Sequence, residues 1–210
     1  QSITDACLSF EQTVPETMAK TPRLPLPIPV RMGFVGPNGV PVLFRLSPDG
    51  PLADEHVVLV TGKTHTQLIY PETVGKIVPS LLRNFSAPVY LQDDLTPSER
   101  MHLLAHDADM FNRWDAAQTL LADQILAIAT DTNRTIDGME MAALGNAFAN
   151  ALASPDLLDI FKSGLLTLPT ISVLESRMKP ADPVALFHKR RKIEAELGGL
   201  LAPKISAVLA

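Results

Sequence analysis

The sequence predicts an α+β chain in two parts, an antiparallel β-sandwich over residues 1–94 followed by an all-α region of antiparallel helices over residues 95–210. Thirteen of the 18 prolines lie in residues 1–97. Proline is excluded from helix interiors because it lacks the N–H and clashes with the preceding turn. The later residues instead carry helix start signals and apolar side chains at helical spacing. The change in proline content therefore predicts a domain boundary near residue 95.

The first part contains about seven short runs of strand-forming residues. They cover residues 6–10, 30–35, 42–46, 56–61, 66–70, 77–84 and 89–92. Turn sequences such as G-P-N-G at 36–39 separate them, and Gly62-Lys63 predicts a hairpin between the fourth and fifth runs. Strands at intervals of about 8–12 residues are typical of an immunoglobulin-like sandwich. In the first run, Cys7 is interpreted as a small buried side chain.

The second part reads as short helices joined by short loops. T-P-S-E at residues 96–99 predicts a helix that begins with a capping box, and apolar stripes predict helices over 112–130 and 136–153. S-P-D at 154–156 predicts a short helix through Phe161, and D-P at 182–183 begins a last helix that Gly198 and Gly199 end. Trp114 is interpreted as a core anchor. Such helices indicate a bundle or the start of an α-solenoid.

Composition and charge exclude several classes of partner. The 210 residues are 46% hydrophobic and 20% charged, as in ordinary globular domains. The net charge of −5 is divided almost evenly between the two parts, so neither carries a basic arm for nucleic acid or an anionic membrane. No apolar stretch is long enough to span a bilayer, and no signal peptide is visible. With a single cysteine, a cytoplasmic location is expected.

His102 and His106 are the most suggestive metal-binding candidates. Their i, i+4 spacing places both rings on one helix face, as two zinc ligands require. The hydrolytic version of this motif needs a glutamate directly after the first histidine, where Leu103 stands. Asp107 and Asp109 would be further oxygen ligands. The alternative is one half-buried and one solvated histidine on an amphipathic helix.

Other patterns are weaker still. The basic run at residues 188–192 is typical of a phosphate site or a nuclear address, but Glu194 and Glu196 follow it and favour a solvated helix face. Gly62-Lys63-Thr64 resembles the end of a phosphate loop, but Val57 stands where its first glycine belongs. The residues therefore predict no self-contained active site, with no catalytic, cofactor-binding or metal-ligating residues.

Five segments resemble a known family and follow one another in that family's order. The most specific is R-W-D-A-A-Q at residues 113–118, within a similar stretch at 111–121. The others are F-S-A-P-V at 85–89, L-P-I-P-V at 26–30 and L-T-L-P at 166–169. Residues 8–17 resemble a Q-x-T-P-x-T pattern through Gln12, Pro15 and Thr17, with Val14 departing from the first threonine. Together they resemble the bacterial aminopeptidase N family, alanyl aminopeptidases that are zinc metallopeptidases of the gluzincin type.

The resemblance implies a fragment of a four-part enzyme that removes N-terminal amino acids from peptides. In the family, a β-domain and a thermolysin-like catalytic domain precede a small β-sandwich and a large helical domain that covers the active site. A zinc ion activates water, a glutamate acts as base, and a G-x-M-E-N loop holds the amino group. This chain has no H-E-x-x-H, and G-M-E-M at 138–141 imitates the loop only in part and lies in the helical half. The family has no zinc ligand at the place of His102 and His106.

We therefore expect a noncatalytic fragment that bridges the catalytic domain and the helical cap, needs no cofactor of its own and belongs to a zinc-containing parent. Its expected partners are the catalytic domain and the rest of the helical domain, while peptides are substrates of the parent. Self-association through exposed inter-domain surfaces is also expected. The alternatives are a stand-alone sandwich and helical interaction module without enzymatic activity, and a small metalloprotein that uses His102 and His106.

Overall fold

The computed structural model describes residues 6–13, 24–73, 75–131 and 133–209. The chain divides into two compact units, Gln1–Asp93 and Asp94–Ala210. Pro15 and Thr17, which match the family pattern, and Val14, which departs from it, lie outside the described residues.

The first unit is built from two three-stranded antiparallel sheets. Its described strands are β1 (Ala6–Glu11), β2 (Ile28–Val35), β3 (Phe44–Arg45), β4 (Glu55–Val60), β5 (Thr64–Pro71) and β6 (Val78–Leu81). One sheet has the order β1-β5-β3 and the other the order β4-β2-β6. The buried cluster of this unit draws on both sheets and consists of Val30, Met32, Phe34, Val42, Phe44, Val58, Val60 and Ile69. The predicted antiparallel sandwich is confirmed.

Two details of the predicted sandwich are wrong. The described residues form six strands rather than about seven, because residues 88–92 form no strand. Pro88 lacks an N–H to donate, and the N–H of Val89 instead closes a tight turn onto the Ala87 carbonyl at 3.0 Å. The Gly62-Lys63 connection is not a hairpin, since β4 and β5 pair in different sheets. It carries the chain from one sheet to the other.

The G-P-N-G turn is present as predicted. The N–H of Gly39 donates to the Gly36 carbonyl at 2.9 Å, and the N–H of Gly36 donates to the Val40 carbonyl at 2.9 Å. Gly39 has a φ of 75°, in the left-handed region that glycine enters without steric cost. The turn brings Val42 back beside Phe34, whose carbonyl accepts from the Val42 N–H at 3.0 Å.

The second unit contains six described α-helices. They are α1 (Pro97–His106), α2 (Met110–Thr130), α3 (Gly138–Ala153), α4 (Asp159–Leu165), α5 (Ile171–Arg177) and α6 (Pro183–Leu209). The predicted capping box of α1 is confirmed, with Pro97 in the first turn. The longest stripe of buried residues belongs to α2, which contacts α1, α4 and α6.

Two predicted helix boundaries are wrong. The helix predicted after residues 154–156 begins only at Asp159, and Ser154 instead follows the end of α3. The last helix does not end at Gly198-Gly199 but continues through Pro203. Burial of Leu197 and Leu201 offsets the helix-breaking tendency of these residues.

A glycine of α3 lies against α6 beyond the two glycines of α6. Gly145 faces Leu200, and a Cβ on Gly145 would lie 3.4 Å from the Leu200 side chain, in ordinary contact. The contact between α3 and α6 therefore continues past Gly198 and Gly199. Tertiary packing decides this boundary rather than local propensity.

Phe44 lies at the centre of the sandwich core. Its ring is fully buried and stands edge-on to Phe34, with ring centroids 4.9 Å apart. The imidazole of His56 packs on it at a centroid distance of 4.7 Å, and its Nε2 lies 2.9 Å from the Phe44 carbonyl oxygen. One side chain thus connects residues from three strands.

We predict that Phe44→Ala lowers the free energy of unfolding of the first unit by about 3–5 kcal/mol, because it leaves a cavity among rigid neighbours. The neighbouring Leu43 is 47% exposed, and Leu43→Ala changes this free energy by about 0.5 kcal/mol. Hydrogen–deuterium exchange of peptides from β2 and β5, followed against urea concentration, measures both. Equal losses in the two variants would contradict this description of the core.

Candidate functional site

The two histidines singled out from the sequence lie close together near the end of α1. Their ring centroids are 5.0 Å apart and the rings are tilted by 55°. The start of the helix is fixed by reciprocal hydrogen bonds. The Thr96 N–H donates to Glu99 Oε2 at 2.8 Å, and the Glu99 N–H donates to Thr96 Oγ1 at 3.3 Å. The predicted shared face is therefore present.

The surroundings of His106 disfavour a positive charge on its ring. Burial lowers the pKa of His106, and the neighbouring His102 and Arg113 lower it further. A neutral imidazole is the form that binds metals. However, among the residues that the structure describes, no group of three or more His, Cys, Asp or Glu side chains could hold a metal ion.

The two aspartates considered as further ligands shape the turn between α1 and α2. Asp107 Oδ1 accepts from the Asp109 N–H at 2.9 Å, and Asp109 Oδ1 accepts from the Asn112 N–H at 2.9 Å. Asp109 is thus the N-cap of α2. Each of these oxygens satisfies a main-chain donor at a helix start, which is a structural use.

Arg113 is the buried charged residue of the R-W-D-A-A-Q segment. Its Nε donates to the Asp107 carbonyl oxygen at 2.6 Å. Burial lowers the pKa of Arg113, while Asp107 and Asp156 act in the opposite direction. The side chain therefore ties the start of α2 to the turn that precedes it.

Sequence reasoning missed Arg113 and misplaced Trp114. Trp114 is not a core anchor, because 36% of its surface is exposed and it packs on Phe111 with ring centroids 5.5 Å apart. Arg113 lies on the buried stripe with Ala117, Leu120 and Leu121. Arg113 precedes these three residues by four, seven and eight positions, which is the spacing of one helix face, and this spacing could have predicted its burial. A charged residue at that place in an apolar stripe indicates a buried side chain with a main-chain partner.

Three separate sequence features meet at one place in the helical unit. Gln118, from R-W-D-A-A-Q, donates through Nε2 to the Thr167 carbonyl oxygen at 2.7 Å. Arg190, from the basic run, donates through Nε to the Pro169 carbonyl oxygen at 2.9 Å. Thr167 and Pro169 belong to L-T-L-P, which connects α4 to α5. We call Gln118, Arg190 and residues 166–169 the carbonyl clamp.

The other residues of the basic run at 188–192 lie mostly on the solvent-exposed face of α6. His188, Arg191 and Lys192 are exposed on α6. Glu194 lies 3.9 Å from Arg190 Nη1 and 4.0 Å from Arg191 Nε. The run therefore combines one clamp residue with ordinary surface charges.

The structure also places the G-M-E-M segment at residues 138–141 and the single cysteine, Cys7. In G-M-E-M, Gly138 begins α3 and the Met139 N–H donates to Asp137 Oδ1 at 2.8 Å, so the segment is a capped helix start. Cys7 is exposed on β1 rather than buried.

One surface cavity of about 250 Å³ lies in the first unit beside the G-P-N-G turn, with Glu72 and Thr73 at its edge. Glu72 is paired there with Arg45 at 2.8 Å.

Comparison with known proteins accounts for both units. Residues 2–94 match the family described as "Domain of unknown function (DUF3458) Ig-like fold", and residues 97–210 match "Domain of unknown function (DUF3458_C) ARM repeats". Aminopeptidase N of Caulobacter vibrioides is 36% identical over 161 residues, 74% of this chain. The chain belongs to the aminopeptidase N family. The family resemblance and the immunoglobulin-like fold predicted for the first unit are confirmed.

Further relatives cover nearly the whole chain. Aminopeptidase N of Escherichia coli is 26% identical over 204 residues, 96% of this chain. The crystal structure of Legionella pneumophila aminopeptidase A in complex with aspartic acid has a TM-score of 0.68 at 22% identity over 87% of the chain, which shows a shared fold.

The chain is a fraction of the length of these proteins. It spans 18% of the Caulobacter aminopeptidase N, 23% of the Escherichia one and 20% of the Legionella chain. Among the described helices, none has the length and apolar character needed to cross a bilayer.

We predict that Arg190→Met destabilises the helical unit by about 1.5–3 kcal/mol, because the Pro169 carbonyl loses a charged hydrogen-bond donor. Arg191→Met is the matched control. It removes a neighbouring arginine that also faces Glu194 but is exposed, and it changes the free energy by about 0.5 kcal/mol or less. Trp114 is the single tryptophan, so its fluorescence during urea unfolding follows this unit. Equal effects of the two substitutions would contradict the clamp.

We also predict that the helical unit loses stability as the pH falls below about 6.5, the ordinary pKa of histidine. Because the folded pKa of His106 lies below that value, the unfolded chain binds this proton more tightly. The contribution is present above pH 6.5 and is lost toward acid. His106→Gln should flatten the drop in urea midpoint between pH 7.5 and 5.5 on the Trp114 signal. His188→Gln, at an exposed histidine of the same unit, should retain the wild-type profile, and an unchanged profile in His106→Gln would refute the prediction.

Proposed function

We propose that this chain is the noncatalytic bridge of a zinc-dependent aminopeptidase that removes N-terminal amino acids from peptides. In this role the sandwich connects to the catalytic domain, and the helical unit is the first part of the cap that limits substrate access. The observation that carries the proposal is the match of both units, in order, to aminopeptidase N over 96% of the chain.

The residues of this chain do not fit the zinc of such an enzyme. The sequence contains no H-E-x-x-H, and the pair His102 and His106 is followed by aspartates that cap a helix rather than converge on the rings. Two histidines without a third protein ligand do not complete a catalytic zinc site. The zinc, the catalytic base and the amino-group loop are therefore assigned to other parts of the parent.

The contacts of the family segments support a scaffold role. Arg113, Gln118 and Thr167 belong to the family segments and are engaged in hydrogen bonds between a side chain and a main-chain carbonyl. Side chains engaged in this way keep helices in place. We infer that these segments identify the family because the cap needs this geometry.

The partners follow from this role. They are the catalytic domain and the remaining helical domain of the parent, with peptides as substrates of the parent only. We propose a cytoplasmic location, in agreement with the single cysteine. Neither nucleic acid nor a membrane is a proposed partner. The net charge is −5, and neither the sandwich part nor the helical part of the sequence carries an excess of basic residues.

The test is the hydrolysis of L-alanyl-p-nitroanilide by the purified chain with added zinc. We predict no turnover above a metal-only blank, because the chain has neither the zinc motif nor its base. A bacterial aminopeptidase N is the positive control. Turnover that persists in His102→Ala and His106→Ala, or that disappears in them, would equally refute the noncatalytic role.

The sequence of the gene upstream of residue 1 distinguishes the bridge from a stand-alone interaction module. An H-E-x-x-H in the same reading frame is expected for the bridge. A frame that starts near residue 1 would favour the module instead.

A further inference from the structure

One asparagine of this chain is followed by a glycine, and the structure places this pair in the G-P-N-G turn. Asn38 is exposed, and Gly39 follows it with a φ of 75°. Asparagine is thermolabile because the main-chain nitrogen of the next residue can attack its side-chain Cγ and close a five-membered ring. A glycine at that place favours the reaction, since it has no Cβ to crowd the ring. The two groups that react are therefore adjacent and open to water.

The other five asparagines lie in settings that oppose this ring closure. Three of them lie inside helices, where the N–H of the following residue donates along the helix. These three are Asn112, Asn146 and Asn150. Asn84 is followed by Phe85 and Asn133 by Arg134, and both of these following residues have bulky side chains. Asn38 is thus the asparagine at which the sequence and the fold together favour the reaction.

We propose that Asn38-Gly39 is a site of spontaneous covalent modification, at which the side-chain amide of Asn38 is lost and a carboxylate is formed. The proposal does not rest on the proposed function, since it uses only a turn of the sandwich. Water is the co-reactant. The products at position 38 are aspartate and isoaspartate, and isoaspartate is the substrate class of isoaspartyl carboxyl methyltransferases.

The reaction begins when the Gly39 nitrogen loses its proton and attacks Cγ of Asn38. A bond forms between these two atoms, the bond from Cγ to Nδ2 breaks, and Nδ2 leaves as ammonia with the proton. The product is a cyclic imide in which the Gly39 nitrogen joins two carbonyl carbons. Water then opens the ring. Attack at Cγ gives aspartate with the original main chain, whereas attack at the main-chain carbonyl carbon gives isoaspartate, whose main chain runs through Cγ.

A main-chain hydrogen bond of the turn controls how often the reaction can start. The N–H of Gly39 donates to the Gly36 carbonyl at 2.9 Å, so this bond has to open before the nitrogen can attack. The residue after Asn133 is held in a similar way, since the N–H of Arg134 donates to the Asp131 carbonyl at 3.1 Å. Asn133 is exposed like Asn38. It is therefore an internal comparison that differs mainly in the side chain of the following residue.

The isoaspartate product does not fit the turn. It adds one methylene to the main chain before Gly39, whereas main-chain hydrogen bonds of 2.9 Å join Gly36 to both Gly39 and Val40. The same turn returns Val42 to its place beside Phe34 in the sandwich core. We therefore expect isoaspartate to loosen β2, while aspartate, which keeps the original main chain, leaves β2 intact.

Incubation of the purified chain in mildly alkaline buffer, followed by peptide mapping with mass spectrometry, tests the proposal. Conversion of amide to acid should occur first at Asn38 and several-fold faster than at Asn133. It should slow in mildly acidic buffer, because the Gly39 nitrogen has to lose its proton. The chain unfolded in urea is the positive control for the chemistry. Conversion at Asn133 as fast as at Asn38, or a folded chain that keeps its Asn38 amide after the unfolded chain has fully converted, would overturn the proposal.

Methyl transfer from labelled S-adenosylmethionine by an isoaspartyl carboxyl methyltransferase detects the second product. Asn38→Gln should remove most of the labelling of the incubated chain, because the longer side chain closes a ring much more slowly. Asn133→Gln is the matched control and should retain the wild-type labelling. Both replaced side chains are exposed, so neither substitution removes a core contact. Labelling that persists in Asn38→Gln, or that disappears in Asn133→Gln, contradicts the assignment of the site.

Hydrogen–deuterium exchange of a peptide covering β2 measures the effect on the turn. The isoaspartate-containing chain should exchange faster there than the freshly purified chain. Asn38→Asp carries the new charge without the extra methylene, and it should match the fresh chain. Unchanged exchange in the isoaspartate-containing chain would refute the predicted loosening of β2.

Discussion

Both units depend on side-chain donors for main-chain carbonyls. These carbonyls have no N–H donor within their own helix or strand, so a side chain has to supply the hydrogen bond. The 18 prolines each remove one backbone donor, and an unpaired polar group in a packed region costs about 1–3 kcal/mol. Long polar side chains supply the missing donors. In the helical unit these are Arg113, Gln118 and Arg190, which reach carbonyls 6, 49 and 21 residues away along the chain.

The sandwich meets the same constraint with glutamines. Leu26 stands between two prolines, so its neighbours cannot extend a strand ladder. The Gln12 side chain pairs with it twice, donating to the Leu26 carbonyl at 2.8 Å and accepting from the Leu26 N–H at 2.7 Å. Gln67 similarly donates to the Leu46 carbonyl at 3.0 Å. A primary amide carries a donor and an acceptor, and it can therefore replace a missing strand neighbour.

Local signals were sufficient for some elements and insufficient for others. The capping box at Thr96 and the turn at Gly39 depend on residues within four positions of each other, and the sequence predicts both. The continuation of α6 past Gly198 depends on Leu201 packing against other helices, and the exposure of Trp114 depends on which face of α2 its neighbours cover. Propensity cannot predict a boundary that distant packing decides. The carbonyl clamp was unpredictable for the same reason, since its donors and acceptors are far apart in sequence.

This distinction explains why the family was recognisable although no active site was. Residues of an active site are recognised from the chemistry of their side chains, and the sequence suggests such a set only in the metal-binding candidates His102 and His106. Residues of a scaffold can be recognised only by comparison with relatives. The hydrogen bond from Gln118 to the Thr167 carbonyl is chemically ordinary, and a different donor could make the same bond in a different fold. The helical unit requires only a side chain at position 118 that is long enough to donate to the Thr167 carbonyl. In this chain the R-W-D-A-A-Q segment holds distant parts of the helical unit together through Arg113 and Gln118, which agrees with the scaffold role that we propose for it.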